Sequence, residues 1–291
     1  MSRTISRLIC DRVANAAAAL LRMAASRRHH RQNPWDPRRH FSRRIIVLVA
    51  LALGICASIA AAAADGLPSP CRPELALSAD QISQRLAANN AERAQHLRHF
   101  EGERHYALDY NGFPSERSAE MLVNASYQAP GTKRFSIVSV SGSKLIISHV
   151  FHRLLESEQE SSADEKQRDA VALTSDNYRF ALRGCAAVAG RDLYVLDVQP
   201  LRDNKFLYRG SIWIDTQDFA VVRIEAEPAR NPSFWTKHSQ IHHQYRKIGE
   251  FYLPSLNRTV TETRFGGRAV LTIRYERYQL DTSAGLRIVE Y

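Results

Sequence analysis

The chain has 291 residues, 24% of them charged, and a formal net charge of +10 at pH 7. Eleven of its 40 basic residues lie between Arg3 and Arg44, so the residues beyond position 44 carry 29 basic against 28 acidic side chains. A nucleic-acid-binding surface needs positive charge on the folded part of a protein. This near-neutral remainder argues against nucleic acid as a partner.

Residues 1–64 are interpreted as a basic leader and signal peptide. Residues 45–64 are uncharged and apolar, follow Arg43 and Arg44, and end in three alanines before Asp65. This pattern is typical of a secretory signal with an A-x-A-type cleavage site. The run of 20 residues is also long enough to span a bilayer as an uncleaved anchor. The sequence therefore predicts an exported, periplasmic protein, either released or tethered to the inner membrane by residues 45–64.

Two cysteines, Cys71 and Cys185, remain once the leader is set aside. An exported protein can pair them, and closing so long a loop would stabilise the fold by roughly 4 kcal/mol in the chain-entropy model. Cys71 lies in the Pro-rich stretch 65–77, which is interpreted as a linker, and Cys185 lies in a Gly- and Ala-containing loop. Neither position forces the pairing, so a disulfide and two free thiols both stay open.

The folded domain is predicted to begin with a helix at Ser78, because Ser78 and Gln81 have the spacing of a capping box. Four apolar residues share one stripe at 3.6 residues per turn, namely Ile82, Leu86, Leu97 and Phe100. Gly102, just past this stripe, predicts the helix end. Residues 105–140 then predict three strands in a meander.

A second helix is predicted from Ser143 to about Glu160. Its broad apolar face contains Ile146, Ile147, Val150, Phe151, Leu154 and Leu155. The charged run 156–169 that overlaps its end has no aromatic or aliphatic residue to bury. We predict that this run is a solvated extension or a mobile loop.

The clearest strand signal lies between Phe206 and Pro228. Alternate residues form one apolar face of each strand, namely Phe206, Tyr208, Gly210, Ile212 and Ile214, followed by Ala220, Val222, Ile224 and Ala226. This pattern predicts an antiparallel hairpin on a core or a cavity. Further strands are predicted at 178–182, 193–198, 234–248, 251–265 and 268–280. The prediction is one domain over residues 78–281, with a tail at 282–291.

The three histidines in the strand predicted at 234–248 do not have the spacing of a metal-binding site. His238 and His242 would lie about 13 Å apart along one strand, too far to share a zinc ion. We therefore interpret them and His243 as surface histidines, and we predict neither a metal nor a cofactor.

Catalytic patterns are equally weak. Residues 141–144 match S-x-x-K and residues 175–177 match S-D-N, as in serine β-lactamases, but a K-T-G-like strand and a large helical subdomain are missing. A hydrolase that uses Ser141 is the weaker alternative. The sequence favours a binding protein or carrier that is not an enzyme.

Residues 204–235 resemble the lipoprotein-sorting superfamily of the bacterial envelope, the LolA, LolB and RseB-like proteins. The resemblance is carried by Asn204–Gly210, Ile212–Asp215, Phe219–Glu227 and Asn231–Trp235, with Phe100–Arg104 as an earlier match. It extends from about Ser78 to Leu280. It implies a mainly β (α+β) fold, an incomplete antiparallel β-barrel of about 9–11 strands whose concave apolar face is covered by helices and holds acyl chains.

The resemblance and the alternating faces together give a candidate ligand-binding site. Its residues are Ile146, Val150, Phe151, Leu154, Phe206, Tyr208, Ile212, Ile214, Val222 and Ile224. Each acyl CH₂ removed from water contributes about 0.8 kcal/mol, so such a cavity needs no specific polar contact. The same faces would also form an ordinary packed core, and periodicity does not distinguish the two.

The resemblance implies a carrier or chaperone for lipid or lipoprotein acyl chains in outer-membrane lipoprotein sorting. Such a carrier would have a delivery partner at the inner or outer membrane. An RseB-like module for envelope-stress sensing or protein interaction, also not an enzyme, is the alternative.

Overall fold

The computed structural model describes residues 68–204, 206–231, 234, 236–264, 266–282 and 285–289. These residues belong to one compact unit, Gly66–Tyr291, which contains the whole sheet, its core and the disulfide described below. The predicted leader, signal and anchor (1–64) lie outside the described residues. Within the described ranges, no helix is both long enough and apolar enough to cross a membrane.

Eleven strands of the described chain form one antiparallel sheet. They are β1 (Leu97–Asn111), β2 (Arg117–Gln128), β3 (Thr132–Gly142), β4 (Tyr178–Val188), β5 (Arg191–Pro200), β6 (Tyr208–Asp215), β7 (Val221–Pro228), β8 (Thr236–Ile248), β9 (Phe251–Thr263), β10 (Arg268–Thr282) and β11 (Gly285–Val289). The hydrogen-bonded order is β3-β2-β1-β10-β9-β8-β7-β6-β5-β4, and β11 pairs with β10. Because β3 and β4 are the two ends of this path, the sheet stays open, and the predicted incomplete antiparallel barrel is confirmed.

The first helix, α1 (Ala79–His96), begins with the predicted capping box. The Gln81 amide donates to Ser78 Oγ at 3.2 Å, and the Ser78 amide donates to Gln81 Oε1 at 2.9 Å. The predicted helix end at Gly102 is wrong, because β1 already begins at Leu97. Phe100 belongs to this strand, where its ring stacks on Tyr127 of β2 at 5.2 Å. Strand pairing outweighs a local helical period there.

The second helical region lies between β3 and β4. It consists of α2 (Lys144–Ile146), a π-helical turn (Ile147–Phe151) and α3 (His152–Ala163), which together are called helix 144–163, followed by α4 (Glu165–Val171). For the run 156–169 the mobile-loop alternative is wrong, because most of the run is helical. The solvated-extension alternative is right for most of its residues, which are exposed, but not for Ser162, which is buried. Asp164 ends α3 and caps α4, since its side chain accepts from the Gln167 amide at 3.2 Å.

Both helical regions pack on the same side of the sheet, called here the inner face. One row of directly opposed residues crosses the sheet on this face: Val140, Met121, Tyr106, Ile273, Asn257, His243, Ile224, Ile212, Leu196 and Leu182. Directly opposed residues of paired strands point to the same side of a sheet. The row therefore connects the strands beneath α1 with those beneath helix 144–163.

The edge strand β4 is tied to the chain that precedes α1. Cys71 and Cys185 form a disulfide, with their Cα atoms 4.8 Å apart. Ser69 exchanges two backbone hydrogen bonds of 2.7 Å with Cys185. The other edge strand, β3, is exposed along residues 136–142, so the two edges of the sheet differ in how far they are covered.

Candidate functional site

The inner face has two covered halves. Over β4–β7, Ile82 and Leu86 of α1 are fully buried in one apolar cluster with Leu196, Ile212 and Ile214. Over β1 and β2, a separate cluster joins helix 144–163 to the sheet through Tyr106, Leu108, Ala119, Met121, Val123, Ile146, Phe151 and Leu155. Each half is filled by the protein's own side chains.

A strip of inner-face residues lies between these halves, on β8, β9 and β10. It is called the central strip and comprises Ile241, His243, Tyr245, Asn257, Thr259, Leu271 and Ile273. All seven side chains are partly accessible to solvent. The central strip is therefore a partly accessible region of the inner face, although Tyr245, Leu271 and Ile273 also pack against the neighbouring clusters.

The central strip is uncharged at neutral pH. Burial, reinforced by the neighbouring His242, lowers the pKa of His243 to about 4. Burial also raises the pKa of Tyr245 to about 12. Asn257 donates to the Tyr275 hydroxyl at 2.8 Å, while its buried Oδ1 has no hydrogen-bond partner among the described residues. The strip thus offers apolar, aromatic and amide groups, which suit an uncharged or apolar ligand segment.

A partly buried ion cluster fastens helix 144–163 to the sheet. Arg104 of β1 is 5% exposed and donates to both carboxylate oxygens of Glu158 on α3, at 2.8 and 3.2 Å. Lys133 of β3 donates to the same carboxylate at 2.7 Å. Burial by itself would raise the pKa of Glu158, but the two cations outweigh it and hold the pKa at about 2.

The guanidinium of Arg104 is also packed between aromatic rings. It lies 5.1 Å from the ring centre of Phe135 and 5.0 Å from that of Tyr275. Burial opposes its charge, yet Glu158 raises the pKa of Arg104 further above its ordinary value. The helix is therefore held by an ion pair whose Arg104 side is buried and whose Glu158 side chain is 32% exposed, so removing the carboxylate leaves a buried charge without its partner.

The predicted site residues do not come together in one place. Ile212, Ile214 and Ile224 are buried beneath α1, with Tyr208 at the margin of that cluster. Ile146 and Phe151 are buried in the other cluster, with Val150 packed against it. Leu154 and Phe206 are exposed, at 36% and 45%.

Val222 differs from its predicted orientation. Ile214 pairs with Val221, and an irregularity in the β6–β7 register follows Trp213. Val222 consequently packs on the outer face, against the cluster of Ala186, Leu193, Val195 and Trp213. A one-residue shift of this kind moves a side chain to the other face of a sheet.

The central strip was missed because no single hairpin contains it. A signal was present, since Ile241, His243 and Tyr245 alternate along β8 and Leu271 and Ile273 alternate along β10. Their approach to one another depends on β8, β9 and β10 being neighbours in the sheet.

The residues considered for metal binding or catalysis are dispersed. His238 and His242 lie near Glu227 and Glu225, at 3.5 and 3.7 Å, whereas His243 belongs to the inner face. Within the part of the chain that the structure describes, no group of three or more His, Cys, Asp or Glu side chains could hold a metal ion. Ser141 and Lys144 are both exposed, at the end of β3 and the start of α2.

No protein-family model matches the chain, and no curated protein matches it. Solved structures that it resembles include a DUF1329 family protein from Desulfovibrio piger, at 16% identity over 70% of this chain and 94% of that chain, with a TM-score of 0.35. A LolA superfamily protein from Nitrosomonas europaea matches at 13% identity over 70% and 93% of the two chains, with a TM-score of 0.30.

A third similar structure is the MucA/MucB complex of Pseudomonas aeruginosa, at 12% identity over 73% of this chain and 99% of the matched chain, with a TM-score of 0.23. At these identities and TM-scores the similarity extends to no site residue. The fold described above rests on the strand order, and the function has to be argued from the site.

Proposed function

We propose that this protein is an exported envelope protein that binds the acyl chains of a lipid or lipoprotein on the inner face of its sheet, as a carrier or chaperone in lipoprotein sorting. The observation that carries the proposal is the central strip, an accessible and uncharged part of the inner face lying between two helix-covered halves. An acyl chain of several CH₂ groups, each contributing about 0.8 kcal/mol, would be retained there without a specific polar partner.

The ion cluster supplies a means of enlarging this site. Helix 144–163 covers apolar residues of β1 and β2, and Arg104 and Glu158 fasten it at its far end. If the helix lifts, Tyr106, Leu108 and Met121 would extend the central strip into a wider apolar surface. The predicted residues Ile146, Val150 and Phe151 would then contact the ligand from the helix side.

The disulfide supports the proposed location. Disulfides form and persist in oxidising compartments such as the bacterial periplasm. The pairing of Cys71 with Cys185 therefore agrees with the export that residues 45–64 predict. A delivery partner at the inner or outer membrane belongs to the same proposal.

Acyl-chain binding is tested with residues 66–291 and a fluorescent long-chain fatty acid. We expect saturable binding, and the variant Ile273→Glu should weaken it about tenfold or more because a carboxylate in the strip must be desolvated. Thr272→Glu is the matched control, since Thr272 is the next residue of β10 and faces the other side of the sheet. Native mass spectrometry of the protein purified from bacteria should show bound lipid. Absence of both lipid and probe would contradict the proposal.

The open edge of β3 favours a second candidate, an RseB-like interaction module. Ile137, Val138 and Val140 are 43%, 54% and 47% exposed, and an uncovered strand of this kind is a template for pairing with another chain. Binding of an extended peptide with alternating apolar residues, lost in Val138→Lys and kept in Ile273→Glu, would favour the module. The reverse result would favour the carrier.

A further inference from the structure

One end of the sheet differs in surface chemistry from the other. The connections β1–β2 (112–116), β5–β6 (201–207), β7–β8 (229–235) and β9–β10 (264–267) all lie at the same end, because every strand pair is antiparallel. This end is called the loop end. Three of these four connections carry large, exposed apolar side chains, namely Phe113 (81%), Leu201 (51%), Phe206 (45%) and Phe234 (73%). The longer, helical β3–β4 connection (143–177) also begins and ends at this end.

The connections of the loop end touch one another. The backbones of Gly112 and Gly267 are so close that a Cβ on Gly112 would lie 2.5 Å from the Gly267 Cα. Arg264 Nε donates to the Phe234 carbonyl at 2.7 Å. The Ala229 amide donates to the Leu207 carbonyl, also at 2.7 Å. The four loops therefore form one continuous rim.

This rim is basic. Five arginines lie in the loops or at the strand ends that border them, namely Arg117, Arg202, Arg230, Arg264 and Arg268. The acidic residues of the four connections are Glu116 and Asp203, and Asp176 lies just before β4 at the same end. Apolar side chains and positive charge are thus combined on the same edge of the molecule.

The opposite end of the sheet provides an internal comparison. Its connections (129–131, 189–190, 216–220 and 249–250) carry none of the exposed large apolar side chains of the described residues. Phe219, the aromatic residue there, is only 8% exposed. The charged residues of these connections and of the strand ends that border them are Arg191, Asp215, Asp218 and Glu250. Exposed rings and a surplus of arginines are therefore a property of one end and not of loops in general.

We propose that the loop end docks on the surface of a membrane that contains anionic lipid. Aromatic side chains favour the boundary between headgroups and acyl chains, and arginines are attracted to anionic headgroups. The exposed side chains lie between β2 and β5, seven strand spacings apart, on the order of 34 Å along the sheet. A fluid lipid surface accommodates such separated tips, whereas protein partners usually concentrate their binding energy in a central cluster.

This docking does not depend on what the central strip binds. It would place the end of the inner face against the lipid surface, so that the strip opens towards the membrane. A protein that fails to bind fatty acids could still dock in this way. The vesicle experiment and the fatty-acid experiment can therefore fail separately.

The contribution of the exposed apolar side chains to docking is tested by co-sedimentation of residues 66–291 with vesicles of equal parts phosphatidylglycerol and phosphatidylcholine. We expect Phe113→Ser/Phe234→Ser to weaken binding about tenfold or more, because two rings leave the interface. The matched control is Ile137→Ser/Val138→Ser, which removes two exposed apolar side chains from β3 and should bind within about twofold of the wild type. Circular dichroism melting would verify that each variant is folded.

The contribution of the loop-end arginines to docking is tested with the same vesicles and the variant Arg230→Gln/Arg268→Gln. Each arginine near an anionic surface contributes roughly fivefold to binding, so the pair should lower binding about 25-fold. Arg98→Gln/Arg134→Gln removes the same charge elsewhere on the protein and should have little effect at about 0.15 M salt, where the Debye length is roughly 8 Å. Salt at about 1 M, where the Debye length is roughly 3 Å, should weaken wild-type binding.

Three results would overturn the proposal. The first is that the wild type does not sediment with the anionic vesicles. The second is equal binding to vesicles of phosphatidylcholine alone. The third is that the loop-end variants bind the vesicles as well as their matched controls do. Cross-linking of the loop end to an envelope protein would not restore the proposal in that case.

Discussion

Two helices cover the inner face of one sheet, but they are attached to it by different forces. Helix α1 is held by apolar packing, with Ile82 and Leu86 fully buried, by the disulfide that precedes it, and by Arg93, whose guanidinium donates to the carbonyls of Asp218 and Phe219 at 2.9 and 3.1 Å. Helix 144–163 also packs through apolar residues, but it is fastened by one partly buried carboxylate, Glu158, between two cations.

This difference in attachment predicts which helix-covered half of the inner face moves more readily. Apolar packing and a disulfide respond weakly to charge and pH, so the α1 half should behave as a fixed part of the fold. A partly buried carboxylate between cations is sensitive to protonation and to loss of a partner. We therefore predict that helix 144–163 is released more readily than α1, and the following predictions test this contrast.

The largest effect is expected from removing the disulfide. Cys71→Ser/Cys185→Ser opens a covalent loop with a sequence separation of 114, which corresponds to about 4–5 kcal/mol of unfolding free energy in the chain-entropy model. Urea unfolding would measure the loss. Reduction of the wild type should produce the same change, and a loss below about 1 kcal/mol in both would show that the α1 half does not depend on this link.

Truncating the packed side of α1 should come next. Leu86→Ala leaves a cavity in a fully buried cluster and should lower the unfolding free energy by about 3 kcal/mol. The matched control is Leu154→Ala on α3, where the side chain is 36% exposed and the loss should be about 1 kcal/mol or less. Equal losses of unfolding free energy from the two substitutions would contradict the proposed difference between the α1 half and the half covered by helix 144–163.

Breaking the ion cluster should act locally. Glu158→Gln leaves Arg104 buried with no carboxylate, which costs about 3 kcal/mol for a pair of this burial. Hydrogen exchange should accelerate for the amides of 152–163 and stay unchanged in α1. Arg104→Met/Glu158→Met should restore much of the protection, because an apolar pair has no charge to desolvate. Uniformly faster exchange across both helices would contradict a releasable helix.

Acid should release the same helix in the wild type. The pKa of Glu158 is lowered from its ordinary value of 4.5 to about 2, so its contribution is fully present above the unfolded-state pKa and is lost as pH falls towards the folded-state pKa. By pH 3 roughly 2 kcal/mol of that contribution should be gone. Exchange of 152–163 between pH 5 and pH 2, compared with Glu158→Gln, would measure it. A variant with the same pH dependence as the wild type would exclude Glu158 as the cause.

Several features could be predicted because their causes are local. The capping box at Ser78 and Gln81 depends on residues three apart, and the hairpin of β6 and β7 depends on alternation and a short connector. The strand nature of the segment around His238 and His242 was also correctly predicted, so these histidines lie apart. Such signals need only neighbouring residues and a period.

Other features could not be predicted because their partners are distant in sequence. Arg104 and Glu158 are 54 residues apart, and Glu158 lies in a charged run that resembles a solvated segment. The helix end at His96 was misplaced because β1 gains its strand partners from β2 and β10. Val222 faces the outer side because of a register irregularity that alternation by itself cannot reveal.

The sequence by itself determined a mainly β domain with two amphipathic helices. The signals for these elements, which are the spacing of apolar residues, the helix caps and the turn residues, act over a few positions. Only the tertiary structure decided that those helices cover separate halves, that an uncharged strip stays accessible between them, and that a partly buried carboxylate fastens one of them. These outcomes depend on which strands become neighbours and which charges lose water together. Both are properties of the assembled sheet and not of any segment.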